Sequence, residues 1–141
     1  MSEWIQVNQK ELNVPRTETR NGVEVQVFVS PYDIPEAVRG AYDKRVNRFA
    51  IEFKYLADEE PTVEQIDGDM RLFVGKTSNR LHRIEIDVDR LDADCVYLHI
   101  FKGIERLVQL QKKPYRQGNY RTAERIIQGR RSELFSSLAT N

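Results

Sequence analysis

Between Val23 and Val88 the apolar side chains fall on alternate positions in four separate runs, and beyond residue 101 their spacing changes to threes and fours. A period of two belongs to a strand with one buried face, and a period near 3.6 to a helix with one apolar stripe. Strands followed by helices can bury both kinds of face only against each other. The four runs are Val23 to Val29, Phe49 to Tyr55, Met70 to Val74 and His82 to Val88. Val96-Tyr-Leu-His-Ile-Phe101 is apolar or aromatic at nearly every position and reads as a central strand covered on both faces. Trp4–Val7 adds an N-terminal strand, and residues 8–22 and 57–68 read as loops.

Asp33-Ile-Pro-Glu36 has the spacing of a capping box, which predicts a short helical turn from Ile34 to Arg39. Gly40 would end it in the left-handed conformation, and a hairpin through Asp43–Asn47 would lead into the Arg48 strand. In the last third, Ile104, Leu107, Val108 and Gln111 share a helix face that Pro114 ends. After a polar turn over Tyr115–Asn119, Tyr120, Ala123, Ile127, Leu134 and Leu138 mark a second helix capped by Asn119. The expectation is an α+β fold, an antiparallel sheet of five or six strands with two C-terminal helices packed on one face. It makes one domain of 141 residues, a β-rich core over about 1–101 and a helical extension over about 102–141.

Composition narrows the class. Seven glycines, five prolines and one cysteine exclude collagen-like and disulfide-stapled chains. No apolar run reaches the roughly 18 residues of a membrane-spanning helix, and no signal segment leads the chain, so no membrane role is expected. The lone Cys95 cannot close an internal disulfide, which points to the cytoplasm. The 22 basic and 22 acidic residues cancel, yet residues 102–141 carry nine basic against three acidic side chains, a local +6. That split marks either an interaction tail or two halves that attract each other.

Tyr42-Asp43, then Arg48-Phe-Ala-Ile-Glu-Phe, then Arg83-Ile-Glu-Ile-Asp87 resembles the pattern of small bacterial domains of unknown function, over about residues 41–88. This chain has Arg83 where a glycine often precedes the Ile-Glu-Ile step, and it adds the helical extension. The resemblance implies a small antiparallel β core and no particular activity.

Chemical motifs are sparse. Gly75-Lys76-Thr77 lacks the glycine a phosphate loop needs five residues earlier, where Met70 stands, and strands rather than a helix follow it. Glu52-Phe-Lys54 with Asp33 is similar to metal-dependent nuclease sites, in which carboxylates hold a divalent ion and a lysine meets the scissile phosphate. Those three are the catalytic candidates, and the alternative for them is a solvated strand face. Asp87, Asp89, Asp92 and Asp94 lack the glycine and closing glutamate of a calcium loop. On strands, Cys95 and His99 would stand about 13 Å apart, too far to share a metal. A register pairing Leu72 with His82 would set both histidines on one apolar-aromatic surface. No metal and no cofactor is expected.

The leading expectation is a non-catalytic interaction or binding protein, a homodimer with Tyr97 and Phe101 in its interface. The alternative is nucleic-acid binding by a basic helix: Lys112, Lys113, Arg116, Arg121, Arg125, Arg130 and Arg131, with Tyr115 and Tyr120 to stack on bases. A metal-dependent nuclease or hydrolase ranks third.

Overall fold

The computed structural model describes residues 3–13, 15–28, 30–56, 60–88, 92–111 and 114–139. In chain order the elements are β1 (Ile5–Gln6), α1 (Gln9–Leu12), β2 (Arg16–Arg20), β3 (Val23–Val27), a 3-10 turn (Pro31–Asp33), β4 (Ala37–Asp43) and β5 (Arg48–Lys54). They continue as β6 (Thr62–Asp67), β7 (Met70–Gly75), β8 (Leu81–Asp87), α2 (Ala93–Leu110), α3 (Pro114–Gly129), α4 (Arg131–Leu134) and α5 (Ser136–Ala139). This is the α+β class, with a six-stranded antiparallel sheet in the order β1-β4-β5-β8-β7-β6. β2 and β3 form a separate two-stranded sheet. Their turn is Asn21-Gly22 at φ 53° and 79°, the two left-handed positions of a two-residue hairpin.

Phe49, Ile51, Met70, Leu72, Ile84 and Ile86 project from one sheet face into a core closed by Ile100, Ile104, Leu107, Tyr120 and Ile127 of the helices. Phe49 stacks on Phe135 with ring centres 5.0 Å apart. No helix among the described residues is long and apolar enough to cross a membrane.

Several local expectations give way. Val96–Phe101 lies in α2 and is no strand, so the helical part begins at Ala93. Asp92 starts that helix, its carboxylate accepting the backbone N–H groups of Asp94 and Cys95. From there Val96, Tyr97, Ile100, Ile104, Leu107 and Val108 bury one helical stripe. A six-residue apolar run fits either period, and the cap decides.

The helical turn expected over Ile34–Arg39 is a strand from Ala37 onward. Ile34 precedes Pro35, which disfavours its helical conformation, and the 3-10 turn ends one residue earlier. The expected hairpin is present, with Asp43 opposite Arg48. Pro114 both follows α2 and opens α3, because proline at the first helical position gives up an N–H that has no partner there. The turn expected over Tyr115–Asn119 is therefore helical.

The expected loops contain α1, β2 and β6. Leu72 pairs with Ile84 rather than His82, two residues from the expected register; the irregularity at Phe73/Val74, beyond which Val74 meets Leu81, accounts for one of the two.

Candidate functional site

Helices cover one face of the sheet, and the other carries rows of charge. Glu52 of β5 lies between Arg39 of β4, at 3.2 Å, and Arg83 of β8, at 3.0 Å. Glu85 accepts from Arg83 at 2.7 Å and from Arg71 of β7 at 3.3 Å. Asp87 accepts from Arg48 at 3.1 Å and from Arg71 at 3.3 Å. Each partner stands on a neighbouring strand or two residues along its own, which is how a pleated sheet places side chains on one face. Burial works to raise the Glu85 carboxyl, and the Arg83 and Arg71 contacts outweigh it, holding the group below its ordinary value. Hydrogen bonding to Arg48, with the charge of Arg71, does the same for Asp87.

At one end of this face lies a cleft of about 660 Å³, bordered by Trp4, Leu56, Phe73 and Tyr55 on its apolar sides. Glu36, Glu52, Lys54, Glu60, His82 and Arg83 supply its polar lining. Trp4 lies under the Arg39 guanidinium, 4.3 Å from the ring centre, and the Lys54 ammonium is 6.0 Å away. At these distances a cation is drawn to the face of an indole. The Tyr55 hydroxyl donates to the Leu81 carbonyl at 2.7 Å, and its ring meets the His82 imidazole edge-on at 5.2 Å.

Glu60 is the hub of the cleft's polar end. Its Oε1 accepts from the Ser78 hydroxyl and lies 3.3 Å from His82 Nε2. Burial works to raise its carboxyl, but Ser78 and His82 prevail and hold it below the ordinary value. A hydrolytic triad requires the histidine between serine and acid, so that imidazole can take the serine proton. Here the acid stands between the two. Ser78 is bonded to a carboxylate and is not activated by an imidazole.

The three catalytic candidates divide. Glu52 and Lys54 border the same cleft, whereas Asp33 is not among its lining residues and accepts from Arg80 at 2.9 Å. Lys54 keeps a loose 3.9 Å pair with Glu36. A cation bound at Glu52 would first have to displace two guanidinium groups.

The acidic run disperses: Asp87 stays in its pair, Asp92 caps α2, Asp94 meets Arg131 at 2.6 Å, and Asp89 lies outside the described residues. His99 is on α2, paired with Asp69 of the β6–β7 turn at 3.0 Å, and His82 is in the cleft, so no surface unites the histidines. Cys95 and His99 are one helical turn apart rather than 13 Å, yet no group of three metal-ligating side chains converges among the described residues.

The basic set is also divided. Arg121 and Arg125 are exposed on α3. Arg130 holds Glu133 at 3.2 Å and the Gln6 carbonyl, and Arg131 covers the Tyr97 ring at 3.9 Å. Tyr120 is fully buried and cannot stack on a base, because its ring is needed in the core beneath α3. Lys112 and Lys113 lie outside the described residues, as do the side chains of Tyr115 and Arg116. Tyr97 is buried inside the fold, packed against Phe101 and Phe135.

The cleft residues Trp4, Leu56, Glu60, Phe73 and Arg83 had no signal in the sequence beyond alternation. Glu60 fell in an expected loop, and only the sheet order brings β1, β5, β7 and β8 to one place. Compared with protein-family models, with curated proteins and with solved structures, the chain finds no match.

Proposed function

We propose that the protein acts by binding rather than by catalysis, with the Trp4 cleft as its contact site. The observation that carries this is the cleft's make-up: aromatic and aliphatic walls around a few convergent polar groups, at a volume usual for ligand sites. Its carboxylates are engaged by Arg39, Arg83, Lys54, Ser78 and His82, which suits recognition better than proton transfer. Self-association belongs to the same reading. Rows of arginine and carboxylate on a sheet face that no helix covers among the described residues are self-complementary under a two-fold axis.

Trp4 is the sole tryptophan, so its emission reports the cleft. Titration with anilinonaphthalene sulfonate, an aromatic anion, should give saturable one-to-one binding with energy transfer from Trp4. Leu56 is 48% exposed, and Leu56→Glu should weaken that binding roughly tenfold without lowering stability. Absence of saturation, or binding that ignores Leu56→Glu, would remove the cleft as a site.

A second reading, nucleic-acid binding, rests on Arg121 and Arg125, which no ion pair holds among the described residues. Labelled DNA and RNA should then bind at about 50 mM salt and lose most affinity near 200 mM. The Arg121→Glu/Arg125→Glu variant should not bind. Equal binding by that variant would leave this helix without such a role.

A further inference from the structure

Glu124, in the third turn of α3, is 5% exposed, a burial that carboxylates seldom undergo without a cationic partner. Its carboxyl lies within hydrogen-bonding reach of that of Glu105 on α2, and no donor reaches its buried Oε2. A hydrogen bond between two carboxyl groups requires a proton on one of them, O–H donating to the other's oxygen. Two ionised carboxylates in contact and out of water would drive the helices apart.

We infer that a single proton shared by Glu105 and Glu124 fastens α3 to α2, making the helical layer a pH-sensitive latch. The charges around it do not replace that proton. Arg121, one turn earlier on α3, opposes it and is itself exposed. On α2, Lys102 is exposed and Arg106 is turned to Asp67 at 2.7 Å. Arg131 at the start of α4 is committed to Asp94, and Glu133 to Arg130. β8 contributes Ile84 and Ile86 to this side and keeps Arg83 and Glu85 in the ion-pair rows beyond.

Burial, then the contact with Glu105, pushes the Glu124 carboxyl up to about 8, and Arg121 only partly offsets this. An unfolded glutamate releases its proton near 4.5. The stability the proton supplies is complete below 4.5 and is lost as pH rises through about 8. Above that, α3 should loosen and expose its backbone.

Glu124→Gln keeps an N–H donor toward Glu105 and cannot ionise. Trypsin reads the latch, because Arg121 and Arg125 are exposed but cleavable only when α3 opens. The wild-type chain should be cut there faster than Glu124→Gln, and the ratio of the two rates should rise several-fold from pH 7 to pH 9. Carbon-13 spectra should show the Glu124 carboxyl titrating near 8. Equal cleavage ratios at both pH values, or titration near 4.5, would overturn the latch. Should Glu124→Gln fold poorly, Glu105→Gln gives the same test, with the Glu124 midpoint moving down.

Discussion

Gly40→Ala should lower stability by about 3 kcal/mol, a fall of roughly 6–12 °C in Tm. Gly40 stands in the middle of β4, opposite Ile51, where the backbone of α4 comes down on the sheet. A methyl group there would overlap the Leu134 carbonyl oxygen, with the Leu134 carbonyl carbon at 3.1 Å and the tip of the Phe49 ring at 3.2 Å. The oxygen is backbone and cannot swing aside as a side chain could, so α4 must lift or β4 must bend. Either movement opens the Phe49–Phe135 stack. Gly129→Ala is the control: an added methyl at the end of α3 meets nothing within 4 Å, and the change should be neutral or slightly stabilising. A Gly40→Ala chain melting within a degree of wild type would mean that Leu134 does not rest on β4.

The same glycine shows where sequence reasoning reached its limit. In the sequence it is a turn former after a capping-box pattern, and its true reason, a carbonyl from residue 134, is 94 positions away. Patterns that needed no distant partner were legible. The alternation from Arg48 to Tyr55 and from His82 to Val88 placed β5 and β8, and the turn through Asp43–Asn47 was legible, whereas most of β4 before it reads as a helical turn. Val96–Phe101 was undecidable by period, and the Asp92 cap that decides it is one acidic residue in a run of four.

The cleft was less legible still. Trp4, Tyr55, Glu60 and His82 meet because β1 joins at β4 and because the β7–β8 register takes His82 out of the expected pairing. The charge split between the two halves has a partly internal answer: Arg106 meets Asp67, Arg131 meets Asp94, and Arg130 reaches Gln6. The +6 at the C-terminal end is therefore in part the means by which the helices are seated.

Tyr97→Arg should destabilise the chain by more than about 3 kcal/mol and should do so equally at every protein concentration. Tyr97 is 8% exposed, with Phe101 at 6.0 Å and Phe135 at 5.8 Å. The Arg131 guanidinium lies over its ring at 3.9 Å, an attraction that depends on the negative face of the aromatic system. A second guanidinium in place of that ring would remove the attraction and set two cations together. It would also empty the space that seats Phe135, and so loosen α4 where it presses on Gly40. Tyr97→Phe keeps the ring and should change little, which separates loss of the aromatic face from loss of the hydroxyl. An interface role would read differently: the solution mass would fall on dilution while the Tm of the dilute protein stayed that of wild type. That outcome would put Tyr97 on the surface. A lowered Tm at unchanged mass would fix it as the pin between α2 and the C-terminal turns, and would leave the sheet's uncovered face as the surface to search for a second copy.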